Sequence, residues 1–398
     1  MRFGRVRITY TWLLLAVAGC RPGERVGQTA LIYDSAGVRI AENPKALVEA
    51  TPVWTIAEIP RLDIGAGGRP GTDLFRVTGA LRLDDGRIAV VNGGSAEVRF
   101  YGSDGRLLNV VGGSGKGPRE FQFPYGIFRV SEDSLLVWDP ALLRLTFFTG
   151  DGAFAGAQPL AGRLQANAFA LGADAAGVFF AAERFVDLGE TLQHSINYWT
   201  YTFDTAVVDS IHSVSLPSLE HVQGRVMGPL FTAFPVAAID RGGRVYVGRG
   251  DAEQLEILSR EGRLIGLVRW VLGMHSVTDE DVSRWMEERL SEVPQDERAT
   301  VRRALETLPR SQRFPAYSAL VIDRSGDLWI RRYAPTDAAP SRWLVMGADG
   351  QALARVVLPA KLQPYDIGED YLLGRMTDEL DVEHVRLYDL LRRGSPRS

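Results

Sequence analysis

An all-β ring of repeated four-stranded units, closed by an N-terminal strand and interrupted by one helical insert, is the architecture this chain of 398 residues predicts. Three observations lead to it. First, residues 79–152 carry the same pattern twice: 79–91 and 98–107, then 126–130, 134–138 and 145–152. Each copy is a set of short apolar-alternating runs divided by turn residues such as Asp85-Gly86, Asp104-Gly105 and Asp151-Gly152, which is how β-hairpins read. A supersecondary unit recurring about every forty residues marks a propeller or a solenoid, in which each unit buries its face on the next. Second, the two turns of the unit can be followed along the chain. The first turn falls at Asp85-Gly86, Asp133-Ser134, Ala176-Gly177, Gly242-Gly243, Ser325-Gly326 and Gly368-Glu369. The second falls at Asp104-Gly105, Asp151-Gly152, Asp204-Thr205, Glu261-Gly262, Asp349-Gly350 and Tyr388-Asp389. Third, the ends complement one another. The last unit runs out near Gly394 without a fourth strand, while residues 53–59 read as a fourth strand with no preceding three. Pairing them removes open sheet edges, which are an aggregation liability. The expected fold is a closed six-bladed β-propeller over residues 51–394.

The runs between turns, such as 244–248 and 327–330, hold the β-branched and aromatic residues that suit a half-buried pleat. One interval departs from this. Between the fourth and fifth units the spacing is about twice the repeat, and the excess, residues 276–312, reads as a helical hairpin. Thr278 is a good N-cap, followed by Asp279, Glu280 and Asp281 in the first turn, where the helix dipole favours acids. Val282, Trp285, Met286 and Leu290 fall on one face, Pro294 breaks the pattern, and Val301, Leu305 and Leu308 define a second stripe. Such a hairpin either packs its stripe on the propeller rim or covers one mouth of the central channel.

Residues 1–19 read as a signal peptide. Arg2, Arg5 and Arg7 precede an apolar stretch from Ile8 to Ala18, shorter than the about 20 residues that span a bilayer. The stretch ends Val17-Ala18-Gly19-Cys20, and Cys20 is the chain's one cysteine, so no intrachain disulfide or cysteine-rich metal site is available. This resembles the lipobox of bacterial lipoproteins, which implies lipidation at Cys20; two or three acyl chains hold a protein at a membrane stably. Residues 20–50 are then the lipidated cysteine, a tether and an entry segment. The net charge of −4, with scattered arginines, gives no electrostatic footprint for nucleic acid.

The segment Gly115-Lys116-Gly117-Pro118-Arg119-Glu120-Phe121-Gln122-Phe123-Pro124-Tyr125-Gly126-Ile127 is similar to the inter-blade signature of NHL-type six-bladed propellers, with Arg119 where that signature has glycine. Leader and repeat together resemble bacterial six-bladed β-propeller lipoproteins. The resemblance implies a lipid-anchored protein of the bacterial cell envelope, in the outer membrane and facing the periplasm or the surface. It carries over no catalytic residue.

No nucleophile elbow, H-E-x-x-H pair or phosphate-binding loop followed by a helix is present. The residues assigned to the loop face are Asn92, Arg119, Tyr125, Asp139, Arg184, Arg249, Arg332 and Arg375. Arginines with tyrosines make a mouth suited to an acidic ligand or a partner's loop. Asn92 and Asp139 occupy corresponding places in the first two units, and such oxygens suit Ca²⁺, which takes six to eight oxygen ligands. His194, His221 and His275 could approach one mouth of the ring. The leading reading is a binding module that uses its loop face to hold an envelope protein or a small-molecule ligand, without a cofactor and touching the membrane only through its lipid anchor. The alternative is a metal-assisted propeller hydrolase or lyase, lactonase-like, with Ca²⁺ at the channel mouth.

Overall fold

The computed structural model describes residues 29–65, 71–162, 164, 167–189, 191–222, 225–336 and 339–392. The expected signal peptide, residues 1–19, and Cys20 lie outside these residues. Six strands stand around one axis: Val77–Arg82, Ile127–Ser131, Phe169–Asp174, Val236–Ile239, Tyr317–Ile322 and Gln363–Ile367. Each neighbours the next, and the last returns to the first. Behind each of the first five, antiparallel strands lead outward to Leu107–Gly112, Phe154–Pro159, Val207–Val222, Leu264–Trp270 and Ala352–Leu358. The fold is a β-propeller.

Aspartates at the ends of the inner strands shape the first turn of several sheets. Asp174 Oδ1 accepts the amides of Ala176 and Gly177, Asp240 Oδ1 those of Gly242 and Arg244, and Asp323 Oδ1 those of Ser325 and Asp327. A short acidic side chain bonding its own backbone two residues on is the physical content of these turn signals. Between turns the strands bury one face against each neighbouring sheet. Leu136, Trp138 and Leu145 of the second sheet meet Val178, Phe180 and Tyr201 of the third, with Trp138 and Phe180 edge to face at 4.8 Å. Equivalent clusters lie between every adjacent pair. The one that joins Tyr371, Leu373, Val385 and Leu387 to Val77, Ile88, Val90 and Tyr101 closes the ring. Burying each such side chain contributes about 1.5–3 kcal/mol, so the inter-sheet clusters hold the ring together.

The closing strand differs in detail from the expectation for residues 53–59. Val53–Ile56 bridges two sheets: Val53 and Trp54 pair in parallel with Arg355 and Val356, while Thr55 and Ile56 pair with Leu391 and Leu390. The fourth strand of the sixth sheet is Leu62–Ile64, opposite Leu387, Arg386 and Val385. The second turn expected at Tyr388-Asp389 is absent, because Glu383–Leu391 runs straight through both residues. Its length is what lets two separate N-terminal segments pair along it.

The entry segment is itself folded. Leu31–Ser35 and Val38–Asn43 form a hairpin, and Val38–Asn43 pairs in parallel with the outer strand of the fourth sheet. Buried Asn43 donates through Nδ2 to the carbonyls of Arg269 and Gly350 and accepts the Ala352 amide at 2.8 Å. Helix α1 (Lys45–Ala50) then buries Val48 between the fourth and fifth sheets.

The helical insert is where the spacing placed it. Helices α2 (Asp279–Ser291) and α3 (Arg298–Glu306) follow the fourth sheet. Thr278 and Asp281 form a reciprocal capping box on α2. The neck closes where the Val277 amide donates to the Gln312 carbonyl. Met286, Leu290, Leu305 and Leu308 bury a small core on Leu230 and Phe231, which belong to the connection between the third and fourth sheets. The insert is docked beside the channel, and its helices do not line it.

Candidate functional site

Two kinds of connection reach the same face of the ring: those between second and third strands, and those from one sheet to the next. Every phenylalanine that is exposed among the described residues stands on this loop face: Phe75, Phe123, Phe169, Phe185 and Phe234. The arrangement has a local cause. Phe123-Pro124, Phe234-Pro235 and Phe314-Pro315 each stand just before an inner strand. Proline holds the residue before it extended and has no amide to leave unpaired at the strand's entry; Phe123 and Phe234 are thereby held exposed on the loop face, while Phe314 packs into the insert core.

The rings form an arc across the second, third and fourth sheets. Phe123 stacks on Tyr125 at 6.0 Å, and Tyr125 meets Phe169 edge-on at 5.0 Å. The third sheet rises above the face because Gly177–Asp187 and Thr191–Thr202 are long strands. On this extension Phe185 stacks on His194 at 4.6 Å, and His194 meets Phe234 edge-on at 6.2 Å. Burial pushes the His194 imidazole below its usual range, partly opposed by Glu183 at 3.9 Å.

Beside the arc runs a channel of about 380 Å³ that all six inner strands line, and Tyr125 of the arc lines it too. Small residues keep the bore open and the strands close. A Cβ at Gly172 would lie 2.4 Å from Ile239 Cγ2, so a larger residue there would push the Ile239 side chain aside. At the far end lie Arg129, Arg241, Arg324 and Asp84. Arg324 Nη2 donates to Asp84 Oδ1, and Arg129 Nη1 approaches Asp84 Oδ2 at 3.4 Å while its Nη2 donates to the Arg82 carbonyl. The Arg324 hydrogen bond, assisted by the charges of Arg129 and Arg241, holds the Asp84 carboxyl below the usual range. Burial and the nearby Arg324 push the Arg129 guanidinium down. Fully buried Asp366 is pushed up by desolvation, although its Oδ2 accepts the Arg82 amide and the Tyr371 hydroxyl.

The sequence-assigned residues divide into four groups. Tyr125 and Arg375 are at the channel mouth, where Arg375 donates to Glu383 Oε1 and Gln363 Oε1 at 2.9 Å each. Arg249 and Arg332 line separate pockets at the base of the insert, of about 340 and 250 Å³, and burial pushes the Arg332 guanidinium down. Arg184 is exposed on the raised third sheet, and Arg119 lies out on the rim against the ring of Phe154. Asn92 and Asp139 have a different task from the one expected of them. Both are buried, and Asp139 accepts four backbone amides, those of Gln122, Phe123, Ala141 and Leu142. The Asp139 oxygens and Asn92 Oδ1, which accepts the Phe75 amide, thus fix the loops they stand in. Among the described residues no three His, Cys, Asp or Glu side chains cluster as a metal site; His194 is in the aromatic arc and His275 in the smaller insert pocket.

No family model matches the chain, and no curated protein matches it. Solved structures do. A member of the DUF4221 family from Bacteroides vulgatus is 11% identical, covers 84% of this chain and 97% of its own, and superposes with a TM-score of 0.50. The likeness is one of fold. A gluconolactonase from Xanthomonas campestris is 13% identical over 86% of this chain and 98% of its own, at a TM-score of 0.40. Virginiamycin B lyase from Staphylococcus aureus is 9% identical over 85% and 99%, also at 0.40. No helix among the described residues is long and apolar enough to cross a membrane.

Proposed function

We propose that the chain is a lipid-anchored, six-bladed β-propeller of the bacterial cell envelope that binds a ligand or a partner protein through its loop face. The observation that carries this reading is the gathering, on one face, of the phenylalanines that are exposed among the described residues, beside the channel that Tyr125 of the aromatic arc lines. Aromatic side chains held by proline linkers and buried asparagine and aspartate clamps offer large contact area at low entropic cost, which is what recognition surfaces use. Contiguous exposed apolar patches on soluble domains mark interaction sites. The Val17-Ala18-Gly19-Cys20 leader supports display from a membrane.

A photo-crosslinking residue in place of Phe185 tests the reading in intact cells, with the same residue in place of Asp104, on the opposite face, as the control. A discrete adduct is expected from position 185 and none from position 104. Equal labelling at both positions, or none at either, removes the loop face as the binding surface.

A further inference from the structure

The second strand of the fifth sheet, Leu328–Arg332, turns alternate side chains toward its two neighbours. Leu328 and Ile330 are buried with Tyr246 and Leu255 of the fourth sheet. Arg332 continues that row past the end of the core, into the pocket of about 250 Å³ at the base of the insert. There its half-buried guanidinium makes no hydrogen bond or ion pair with another described residue. Two charges act on it from a distance: Glu253 favours its charged form, and exposed Arg342 on the next strand opposes it. Half-buried Glu253 reaches the same pocket from a loop of the fourth sheet. Its Oε1 accepts the Leu272 amide at 2.9 Å and its Oε2 the Gly273 amide at 3.2 Å. Those bonds fix the carboxylate and leave each oxygen able to accept once more. The pocket's other carboxylate, Asp281, is taken up by the α2 capping box and lies 3.5 Å from Arg284. Met274, Phe314 and Pro315 give the pocket an apolar stretch of wall, with Phe314 stacked on Tyr333 at 5.7 Å.

We propose that this pocket binds a free α-amino acid with an apolar side chain, its carboxylate on Arg332, its ammonium on Glu253 and its side chain against Met274 and Phe314. Each charge of that ligand answers one group of the site. A guanidinium pairs with a carboxylate through parallel charge-assisted hydrogen bonds, and the arriving negative charge offsets the repulsion between Arg332 and Arg342. An acid without an amine would satisfy Arg332 but set a second negative charge beside Glu253. An amine without an acid would leave the half-buried guanidinium without a partner, which is costly. One small zwitterion meets both requirements. The volume of about 250 Å³ lies just below the about 300–1,000 Å³ of pockets for drug-sized ligands, which suits a single amino acid better than a larger cofactor. The proposal deepens the loop-face reading by naming a ligand class for that face, and rests on it only in placing binding there.

Calorimetric titration of the full chain with L-leucine, 4-methylpentanoate and 3-methylbutylamine tests it, since the last two keep the leucine side chain and carry one charge each. Leucine is expected to bind at least about tenfold more tightly than either, and Arg332→Met to weaken it about tenfold, the scale of one lost charge-assisted pair. Arg249→Met, in the neighbouring pocket, should leave leucine binding unchanged. Glu253→Gln should weaken leucine and tighten 4-methylpentanoate, because it removes the opposing carboxylate; a gain of affinity cannot come from misfolding. Leucine binding that is absent, no tighter than that of the two analogues, or undiminished by Arg332→Met overturns the proposal, as does 4-methylpentanoate binding that Glu253→Gln fails to tighten. Crosslinking at position 185 separates the two readings. A discrete adduct there without leucine binding defeats the pocket proposal alone, and leucine binding without an adduct defeats the aromatic arc alone.

Discussion

The side-chain oxygen of Asn92 accepts the backbone amide of Phe75 at 2.8 Å, so a buried polar residue fixes the linker that presents an exposed aromatic one. Asp139 does the same in the next sheet for the linker carrying Phe123 and Tyr125, and it holds two further amides in its own loop. Buried amides left without an acceptor cost about 1–3 kcal/mol each. Asp139→Ala is therefore expected to lower the unfolding free energy by about 3 kcal/mol or more, with Asp139→Asn losing roughly half as much. Urea unfolding measures both. A change below about 1 kcal/mol in the alanine variant would show that water replaces the carboxylate and that the loop needs no clamp.

Ring closure depends on Leu62–Ile64. Ile64 is fully buried between the sixth and first sheets, and truncating such a side chain costs about 2–5 kcal/mol through lost transfer energy and the cavity left behind. Ile64→Ala should fall in that range. Tyr33→Ala, on the exposed hairpin strand, should stay within about 0.5 kcal/mol. Comparable midpoints for the two variants in thermal unfolding would mean that the ring is not closed through residue 64.

The repeat made the sheets, their turns and the insert legible in the sequence, because Asp-Gly turns and two-residue alternation are local signals. The ends were less legible. Leu62–Ile64 is only three residues long and takes its partner from more than three hundred residues away, so no local pattern marks it. Tyr388-Asp389 resembles a turn by composition, yet pairing with Leu372 and Tyr371 keeps it extended. In the site, Tyr125 and Arg375 were found at the channel mouth. Asn92 and Asp139 were recognised as equivalent positions, but their burial could not be read from spacing. The aromatic arc did have a partial sequence signal, the Phe-Pro dipeptides at Phe123 and Phe234 just before two inner strands. The arginine floor had none, since Arg129, Arg241 and Arg324 meet only when the ring closes.

The insert is expected to be separable from the ring. Its core rests on Leu230, Phe231 and Phe314, and its neck is closed by the Ser276–Arg313 bridge. Replacing residues 276–312 with a short Gly/Ser linker, together with Leu230→Ser and Phe231→Ser to cover the exposed seat, should preserve the β-sheet circular dichroism and a single cooperative unfolding transition. Loss of that transition would place the insert in the common core.

Cys20→Ser is expected to move the protein out of the membrane fraction or leave its leader uncleaved. Two acyl chains are what make such anchoring stable, one being marginal. Fractionation with immunoblotting reads both outcomes. Normal processing with full membrane retention would exclude Cys20 as the anchor.

His194 gives the aromatic arc a pH dependence of known sign. Its ring is buried between Phe185 and Phe234, and burial holds its pKa below the unfolded value of about 6.5. Between the folded and unfolded values the unfolded chain binds the additional proton. Stability from His194 is therefore complete above the unfolded pKa and is lost as pH falls toward the folded one. Of the other histidines, His384 lies 2.8 Å from Asp63, His212 lies 3.9 Å from Glu256 and His275 lines the insert pocket. A comparison with His194→Phe isolates the term, since phenylalanine keeps the stacking and removes the titration. The wild-type chain should lose stability relative to His194→Phe as pH is lowered from 7 through the acidic side of about 6.5, measured by urea unfolding at each pH. Parallel stability curves for the two proteins would show that His194 is solvated and that the arc does not exclude water from its ring.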